Sequence, residues 1–166
     1  MEVSFDIKLE PKDLFRFNMF QTYTTTQGPT SIILAIIVIV MSVVSFRNGE
    51  MGYGFLYVAA AVLFVMYIPG SLWTRAKATL KKNEVLAGTL HYQISEKGIE
   101  VFQGKESGLL PWDAIYKMVS NKKQILIYSN RVNAYIIPRE QLGDKYDALR
   151  EIARKQLPNY RFRMNK

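Results

Sequence analysis

Two long uncharged stretches dominate the pattern of hydrophobic and polar residues along this chain. Residues 28–46 and 51–74 contain no Asp, Glu, Lys or Arg. Each stretch is long enough to cross the hydrocarbon core of a bilayer, which takes about 20 helical residues. The first is apolar on every side of a helix, whereas a helix on a soluble core keeps a polar stripe. The pattern therefore predicts two transmembrane spans, at about 30–46 and 55–73, which form an antiparallel hairpin over residues 30–74.

Small and helix-breaking residues add detail to this hairpin. Pro69 and Gly70 lie near the end of the second stretch, where they indicate a kink or the exit turn of the span. Residues 59–61 are three alanines, which are small enough to let the two helices approach closely.

Basic residues near the span ends predict the orientation of the hairpin. The connector at residues 75–88 carries Arg75, Lys77, Lys81 and Lys82, and the segment before the first span carries Lys12 and Arg16. Only Arg47 lies between the spans. Because basic residues accumulate on the cytoplasmic side of membrane proteins, we expect a multi-pass protein of the cell membrane with both termini in the cytosol.

The N-terminal segment, residues 1–29, has a pattern of its own. Val3, Phe5, Ile7 and Leu9 alternate with polar residues, which is typical of a half-buried strand. Pro11 then suits the first turn of a helix. That helix either packs on the cytosolic domain or lies in the membrane interface. Whether the strand joins a sheet formed by the C-terminal residues is also left open.

Residues 89–166 read as short strands with turns between them, followed by one helix. Turn residues lie at 96–98 and 104–108. The strand after the second turn begins near Ile115. One helical face near the C-terminus is apolar and comprises Tyr146, Leu149, Ile152, Ala153 and Leu157. The prediction is an α+β membrane protein whose cytosolic part is a β-meander closed by a C-terminal helix, the order found in pleckstrin-homology-like domains.

Four stretches resemble a known family. They read LHYQISEKGI at residues 90–99, LPWDAIYK at 110–117, ILIY at 125–128 and AYIIPR at 134–139. With the layout of strand, helix, two spans and C-terminal domain, they resemble the YcxB-like membrane proteins of bacteria. The resemblance implies a membrane-anchored, pleckstrin-homology-like cytosolic domain, and it implies no established activity.

The residues that carry the resemblance have a structural and a functional interpretation. Structurally, Trp112 fills a core, Asp113 caps a turn through its own backbone and Pro138 ends a strand. Functionally, these residues form a binding edge. The motif positions are Trp112, Asp113, Ile115, Pro138 and Arg139.

Catalytic chemistry has little to build on in this sequence. The chain has no cysteine, and its one histidine, His91, alternates with Leu90 and Tyr92 as an exposed strand residue would. No Gly-rich phosphate loop is present. We therefore predict no catalytic residues, no metal site, no cofactor and no enzymatic activity.

Two binding functions remain. The first is a membrane-anchored protein-interaction module, in which a strand edge or groove captures a cytosolic or membrane protein. The alternative is a domain that binds anionic lipid headgroups at the membrane surface. Nucleic-acid binding is disfavoured despite the net charge of +8, because no recognised motif is present. Assembly into a homo-oligomer stays open. The basic residues assigned to the lipid alternative are Arg75, Lys77, Lys81, Lys82, Lys122 and Lys123.

Overall fold

The chain forms two compact units in a computed structural model that describes residues 2–25, 27–104 and 106–164. The sheet unit comprises residues 1–14 and 79–166, and the hairpin unit comprises residues 15–78. The predicted α+β class is confirmed, because one unit is built on two β-sheets and the other is helical.

Three long helices supply the hairpin unit. Helix α1 (Pro11–Thr24) begins in the sheet unit, α2 (Gln27–Arg47) follows it, and α3 (Met51–Lys82) ends beyond the hairpin. Helices α2 and α3 are both long and apolar enough to cross a membrane. The Phe15 ring of α1 makes an edge-to-face contact with Trp73 of α3, at 5.4 Å between ring centroids.

The turn between α2 and α3 is as short as the sequence predicts. The amide of Gly49 donates to the Phe46 carbonyl oxygen at 3.2 Å, and the amide of Glu50 donates to the Ser45 carbonyl oxygen at 2.9 Å. These two bonds are the pair that closes a Schellman motif at the end of a helix. Helix α3 then begins at Met51, so the two helices are antiparallel neighbours.

Small residues bring α2 and α3 together, although only one of the three predicted alanines takes part. Ala61 is buried, whereas Ala59 is exposed and Ala60 is half-buried. The helices are also close at Gly54, where an added Cβ would lie 2.5 Å from the Phe46 ring. The buried Ser42 hydroxyl also donates to the Gly54 carbonyl oxygen at 2.9 Å.

Helix α3 does not end at Pro69 and Gly70, which excludes the exit turn and leaves the kink, the other alternative predicted there from the sequence. Helix α3 continues through Pro69 to Lys82, so most of the basic connector is helical. Hydroxyls near the proline satisfy carbonyl groups: Ser71 donates to the Ile68 carbonyl oxygen and Thr74 to that of Ser71. These bonds do not involve the Val65 carbonyl oxygen, which is the group that loses its helical donor at Pro69.

The first sheet of the sheet unit is antiparallel throughout, in the order β1-β2-β3-β4. A short helix, α4 (Glu84–Ala87), precedes β2. The N-terminal strand is the edge of the sheet, with Val3 opposite Ile94 and Lys8 opposite Thr89. This pairing answers the question that the sequence left open. The strands are β1 (Val3–Lys8), β2 (Thr89–Ser95), β3 (Gly98–Gln103) and β4 (Glu106–Pro111).

Strand β4 begins inside the segment that was predicted as a turn at residues 104–108. Residues 106–108 pair with β3 instead. Lys105, which the predicted turn also includes, lies outside the described residues.

The second sheet has the order β7-β6-β5-β8, and the β5–β8 pair is parallel. A 3₁₀ turn at Trp112–Ala114 leads into it. Ile115 is buried in the connection, so the strand predicted from that residue starts two positions later. Strand β8 follows the closing helix and was not predicted. The strands are β5 (Lys117–Ser120), β6 (Gln124–Tyr128), β7 (Ala134–Pro138) and β8 (Phe162–Met164).

Two helices complete the sheet unit, α5 (Arg139–Leu142) and α6 (Lys145–Gln156). The predicted apolar face of the closing helix is buried as expected. Both sheets contribute to the core, since Tyr92 of β2 meets Tyr135 of β7 edge-to-face at 6.5 Å between ring centroids. The side chains with no exposed area include Ile7, Ile94, Ile99, Met118, Ile127 and Leu149.

Candidate functional site

The outer edge of β4 is an unpaired row of backbone groups. In an antiparallel sheet, successive residues direct their N–H and C=O groups alternately to the two neighbouring strands. On β1 the backbone groups of Ser4 and Lys8 face away from β2, because they bond to side chains of α5 and α6. Followed from there through the observed registers, the alternation directs residues 106, 108 and 110 toward β3. The amide and carbonyl groups of Ser107 and Leu109 then point away from the sheet. Among the described residues, no hydrogen bond reaches these groups.

The opposite edge of the same sheet is capped by side chains. Gln141 of α5 accepts from the Lys8 amide through Oε1 at 2.9 Å and donates from Nε2 to the Lys8 carbonyl oxygen at 2.8 Å. Lys145 of α6 donates from Nζ to the Ser4 carbonyl oxygen at 2.7 Å. Capping of this kind protects an edge strand from pairing with another chain. Side chains thus occupy part of the β1 edge, whereas no such bond reaches Ser107 or Leu109 of β4 among the described residues.

The side chains of β4 leave its edge accessible. Leu109 is 55% exposed, and Gly108 has no atom within 4 Å of the position that a Cβ would occupy. Helix α4 lies beside the end of β3 that leads into β4. Gln103 of β3 donates there from Nε2 to the Val85 carbonyl oxygen at 2.8 Å. Val85 is itself 52% exposed. An extended segment with apolar residues at alternate positions would find Leu109 on one face of the edge.

Trp112 and Asp113 hold the end of β4 in position. The buried Trp112 ring donates from Nε1 to the Ser95 carbonyl oxygen at 2.9 Å, which ties the residue after β4 to the turn between β2 and β3. The Asp113 carboxylate accepts from the Ala114 amide at 3.0 Å, as the structural interpretation predicts for a turn cap. Ile115 is fully buried. These motif residues support the edge and are not part of it.

Pro138 and Arg139 end β7 and begin α5. The Arg139 guanidinium lies over the Tyr146 ring at 3.8 Å, and its Nη1 donates to the Asn121 carbonyl oxygen at 3.3 Å. The Arg139 amide also donates to the Lys123 carbonyl oxygen at 2.9 Å. Both contacts join the end of β7 to the turn before β6, so Arg139 is positioned for a structural role.

The basic residues at the end of α3 do not form one stripe. At 100° per residue, Arg75 and Lys82 lie on one side of the helix, while Lys77 and Lys81 lie on another. All four are exposed. Lys77 also extends over the Trp73 ring, with Nζ 5.0 Å from its centroid.

The other two predicted lipid-binding residues lie in the turn between β5 and β6. Lys122 and Lys123 are both exposed there. The Nζ of Lys123 is 3.9 Å from the Glu140 carboxylate, which also lies 3.9 Å from the Nζ of Lys12. An acid within the cluster reduces the positive potential that an anionic headgroup would meet.

His91 pairs with an acid on the open face of the first sheet. Its Nδ1 is 2.6 Å from the Asp6 carboxylate, and both side chains are about half exposed or more. Its neighbour Tyr92 points into the core, where burial raises the pKa of the phenol. A histidine and an aspartate on an exposed sheet face lack the enclosed pocket that catalytic groups usually occupy.

The identity of the open edge was not predicted from the sequence. The signal was present in the lengths of the turns, since two residues separate β2 from β3 and two separate β3 from β4. Turns of that length fix which residues of each strand face outward. What the sequence did not show is that Gln141 and Lys145 would cap the other edge.

Comparison with protein families gives a match to the YcxB-like protein family over residues 94–153. The matched segment runs from the end of β2 into α6 and so includes β4 and both motif regions. The predicted resemblance to this family is confirmed for that segment, which is fewer than half of the 166 residues. Comparisons with curated proteins and with solved structures gave no significant match.

Proposed function

We propose that this chain, YcxB-like over residues 94–153, is a membrane-anchored protein-interaction module. Helices α2 and α3 anchor it in the cell membrane as a hairpin, with both termini in the cytosol. The sheet unit is a pleckstrin-homology-like domain that captures an extended segment of a partner protein along the β4 edge. Its role is binding, without catalysis.

The exposed apolar surface of the hairpin unit supports the membrane anchor. Ile33 of α2 is 59% exposed and Leu63 of α3 is 70% exposed, in helices whose other large apolar residues are similarly uncovered. Water would make such a surface costly, at about 25 cal/mol per Å² of apolar area. Lipid removes that cost. The basic residues of α3 and of α1 support the orientation, because they lie outside the two spans.

The order of elements in the sheet unit supports the pleckstrin-homology-like assignment. Two four-stranded sheets follow each other along the chain, and α6 packs its apolar face into the core after β7. Strand β8 and the long insertion between β1 and β2 are additions to that plan.

The observation that carries the binding function is the contrast between the two edges of the first sheet. Gln141 and Lys145 occupy backbone groups of Lys8 and Ser4 on the β1 edge, while Ser107 and Leu109 of β4 leave their backbone groups open. Strand addition uses such groups, because main-chain hydrogen bonds supply affinity and side chains at alternate positions supply specificity.

The test is photo-crosslinking in cells with p-benzoylphenylalanine placed at Ser107. We expect a discrete adduct from this position and none from Ser4 on the capped β1 edge. Leu109→Pro should abolish the adduct, because proline removes an N–H that points to the partner and leaves the β3 ladder intact. Leu109→Ala keeps the N–H and should retain the adduct.

Two outcomes would contradict strand addition at β4. One is an adduct of equal yield from Ser4 and Ser107. The other is an adduct that persists in Leu109→Pro. Thermal unfolding of the purified variants establishes that the proline has not unfolded the sheet unit.

A further inference from the structure

The strands and turns of the second sheet carry positive charge without acids. Strand addition at β4 does not involve these charges. Between Asp113 and Glu140 the chain has five Lys or Arg residues and no acid. The first sheet is different, since Asp6, Glu100 and Glu106 lie on its strands. The net charge of the chain is therefore concentrated on part of the sheet unit.

Lys117 and Arg163 lie on the same face of the second sheet. Lys117 is two residues from Val119 on β5, and Val119 is the register partner of Arg163 on β8. Residues two apart on a strand, and residues paired across strands, share a face. The Nζ of Lys117 lies 4.5 Å from the centroid of the Tyr128 ring and 5.8 Å from that of Tyr116.

Arg161 extends this group at one end. Its Nη1 donates to the carbonyl oxygens of Asp113 and Ile115, at 3.0 and 3.1 Å, and so holds the segment before β8 beside the start of β5. Its guanidinium is 5.6 Å from the ring of Tyr160, which is 70% exposed. We name these residues the cation–tyrosine surface, comprising Tyr116, Lys117, Tyr160, Arg161 and Arg163.

Within residues 2–25, 27–104 and 106–164, no ion pair involves Lys117, Arg161 or Arg163. Exposed tyrosines beside unpaired cations are the combination found where proteins meet the headgroup layer. The phenol ring has an apolar body with a polar tip, and the cation is attracted to anionic lipid.

We propose that the cation–tyrosine surface docks the sheet unit onto the anionic lipid headgroups of the bilayer that holds the protein. This rests on the proposed membrane anchor, because the anchor keeps anionic lipid within reach at high effective concentration. The residues differ from those predicted from the sequence. They lie on β5, on β8 and in the segment before β8, and not at the end of α3 or in the β5–β6 turn.

The cations of the surface favour an anionic ligand, and the exposed tyrosines favour a membrane as the source of that ligand. An acidic peptide would satisfy the cations equally well but gives no reason for Tyr160 to be 70% exposed. Each cation beside an anionic leaflet shifts the ratio of docked to free protein by about fivefold. Loss of two cations should therefore lower that ratio roughly 30-fold.

The experiment uses the full chain in lipid nanodiscs, with a spin label on a single cysteine. The natural chain has no cysteine, so Asn159→Cys beside Tyr160 gives one labelled site. Collision with a water-soluble nickel complex is measured in discs of phosphatidylcholine and in discs that also contain phosphatidylglycerol. We expect the label to be shielded from nickel only in the anionic discs, and high salt should remove the shielding.

A matched pair of double variants separates this surface from net charge. Lys117→Gln with Arg163→Gln and Lys122→Gln with Lys123→Gln each remove two positive charges. The first pair should abolish shielding in anionic discs and the second should preserve it. Arg161 is left in place because it bonds two backbone carbonyl groups.

Several results would overturn the proposal. These are equal nickel access in neutral and anionic discs, equal loss of shielding in both double variants, and shielding that survives high salt. Shielding in neutral discs on addition of poly-glutamate, without shielding in anionic discs, would assign the surface to an acidic peptide instead. Extraction at alkaline pH tests the membrane anchor separately, because a chain that stays in the membrane but is not shielded refutes only the docking.

Discussion

Gln124 is a buried amide whose replacement should stabilise the protein. It is the first residue of β6, it is 1% exposed, and neither its Nε2 nor its Oε1 has a hydrogen-bonding partner among the described residues. Its backbone is well anchored, since the Gln124 amide donates to Asn121 Oδ1 at 2.8 Å. The perturbation that isolates the side chain is Gln124→Met, which keeps an unbranched side chain of similar length.

The expected magnitude follows from the cost of an unsatisfied amide. Burial without a hydrogen bond costs about 1–3 kcal/mol in proteins. The methionine side chain avoids that cost and keeps contact with its apolar surroundings, which include Leu126 on the same face of β6. We therefore expect the free energy of unfolding to rise by about 1–3 kcal/mol.

Hydrogen exchange of the full chain in detergent micelles measures this change locally. The slowest amides of β6 and β7 report the opening of the second sheet. Gln141→Met is the matched control, because Gln141 makes two hydrogen bonds with Lys8. That variant should lower stability by about 1 kcal/mol. Faster exchange in Gln124→Met would refute the reasoning, because it would show that the amide makes a hydrogen bond that methionine cannot replace.

Three further predictions test the sheet unit. Burial raises the pKa of Tyr92, so the folded state keeps its proton longer than the unfolded state, and stability should be constant up to about pH 10 and fall above it; thermal melts should show a weaker alkaline loss in Tyr92→Phe, and an unchanged loss would exclude this cause. Trp112→Phe removes the bond to Ser95 and should cost at least about 1 kcal/mol in denaturant unfolding, whereas a neutral result would leave that bond without energetic weight. Gly98→Ala should destabilise the protein by more than about 1–2 kcal/mol, because φ is +151° and the new Cβ would lie 2.5 Å from the Leu110 carbonyl oxygen. Gly108→Ala, with open space at its Cβ, should be close to neutral in the same melt.

The features that the sequence predicted are those set by local pattern. Alternation of Val3, Phe5 and Ile7 predicted β1 because a strand repeats every two residues, and those side chains are buried in the structure. The two apolar helices followed from the absence of charge over more than 18 residues. In each case the signal lies within a single element.

The features that the sequence did not predict depend on contacts between distant elements. At Pro69 the sequence left a kink and an exit turn open because proline removes one helical hydrogen bond, and the structure shows that the helix continues to Lys82. Strand β8 has only three residues, and its pairing with β5 crosses the whole of β6, β7 and α6. The cation–tyrosine surface likewise brings together residues more than 40 positions apart, joined by the bonds of Arg161.

The position of β1 couples insertion of the hairpin to completion of the first sheet. Val3 pairs with Ile94, and both helices of the hairpin unit lie between them in the chain. In a bilayer, these two strands can meet only when an even number of spans has crossed, since a single crossing would leave them on opposite sides. A chain with one failed crossing would keep β2 as an uncovered edge with Tyr92 and Ile94 exposed. In a chain inserted in a bilayer, docking of the N-terminal strand therefore requires that both ends of the hairpin lie on the same side.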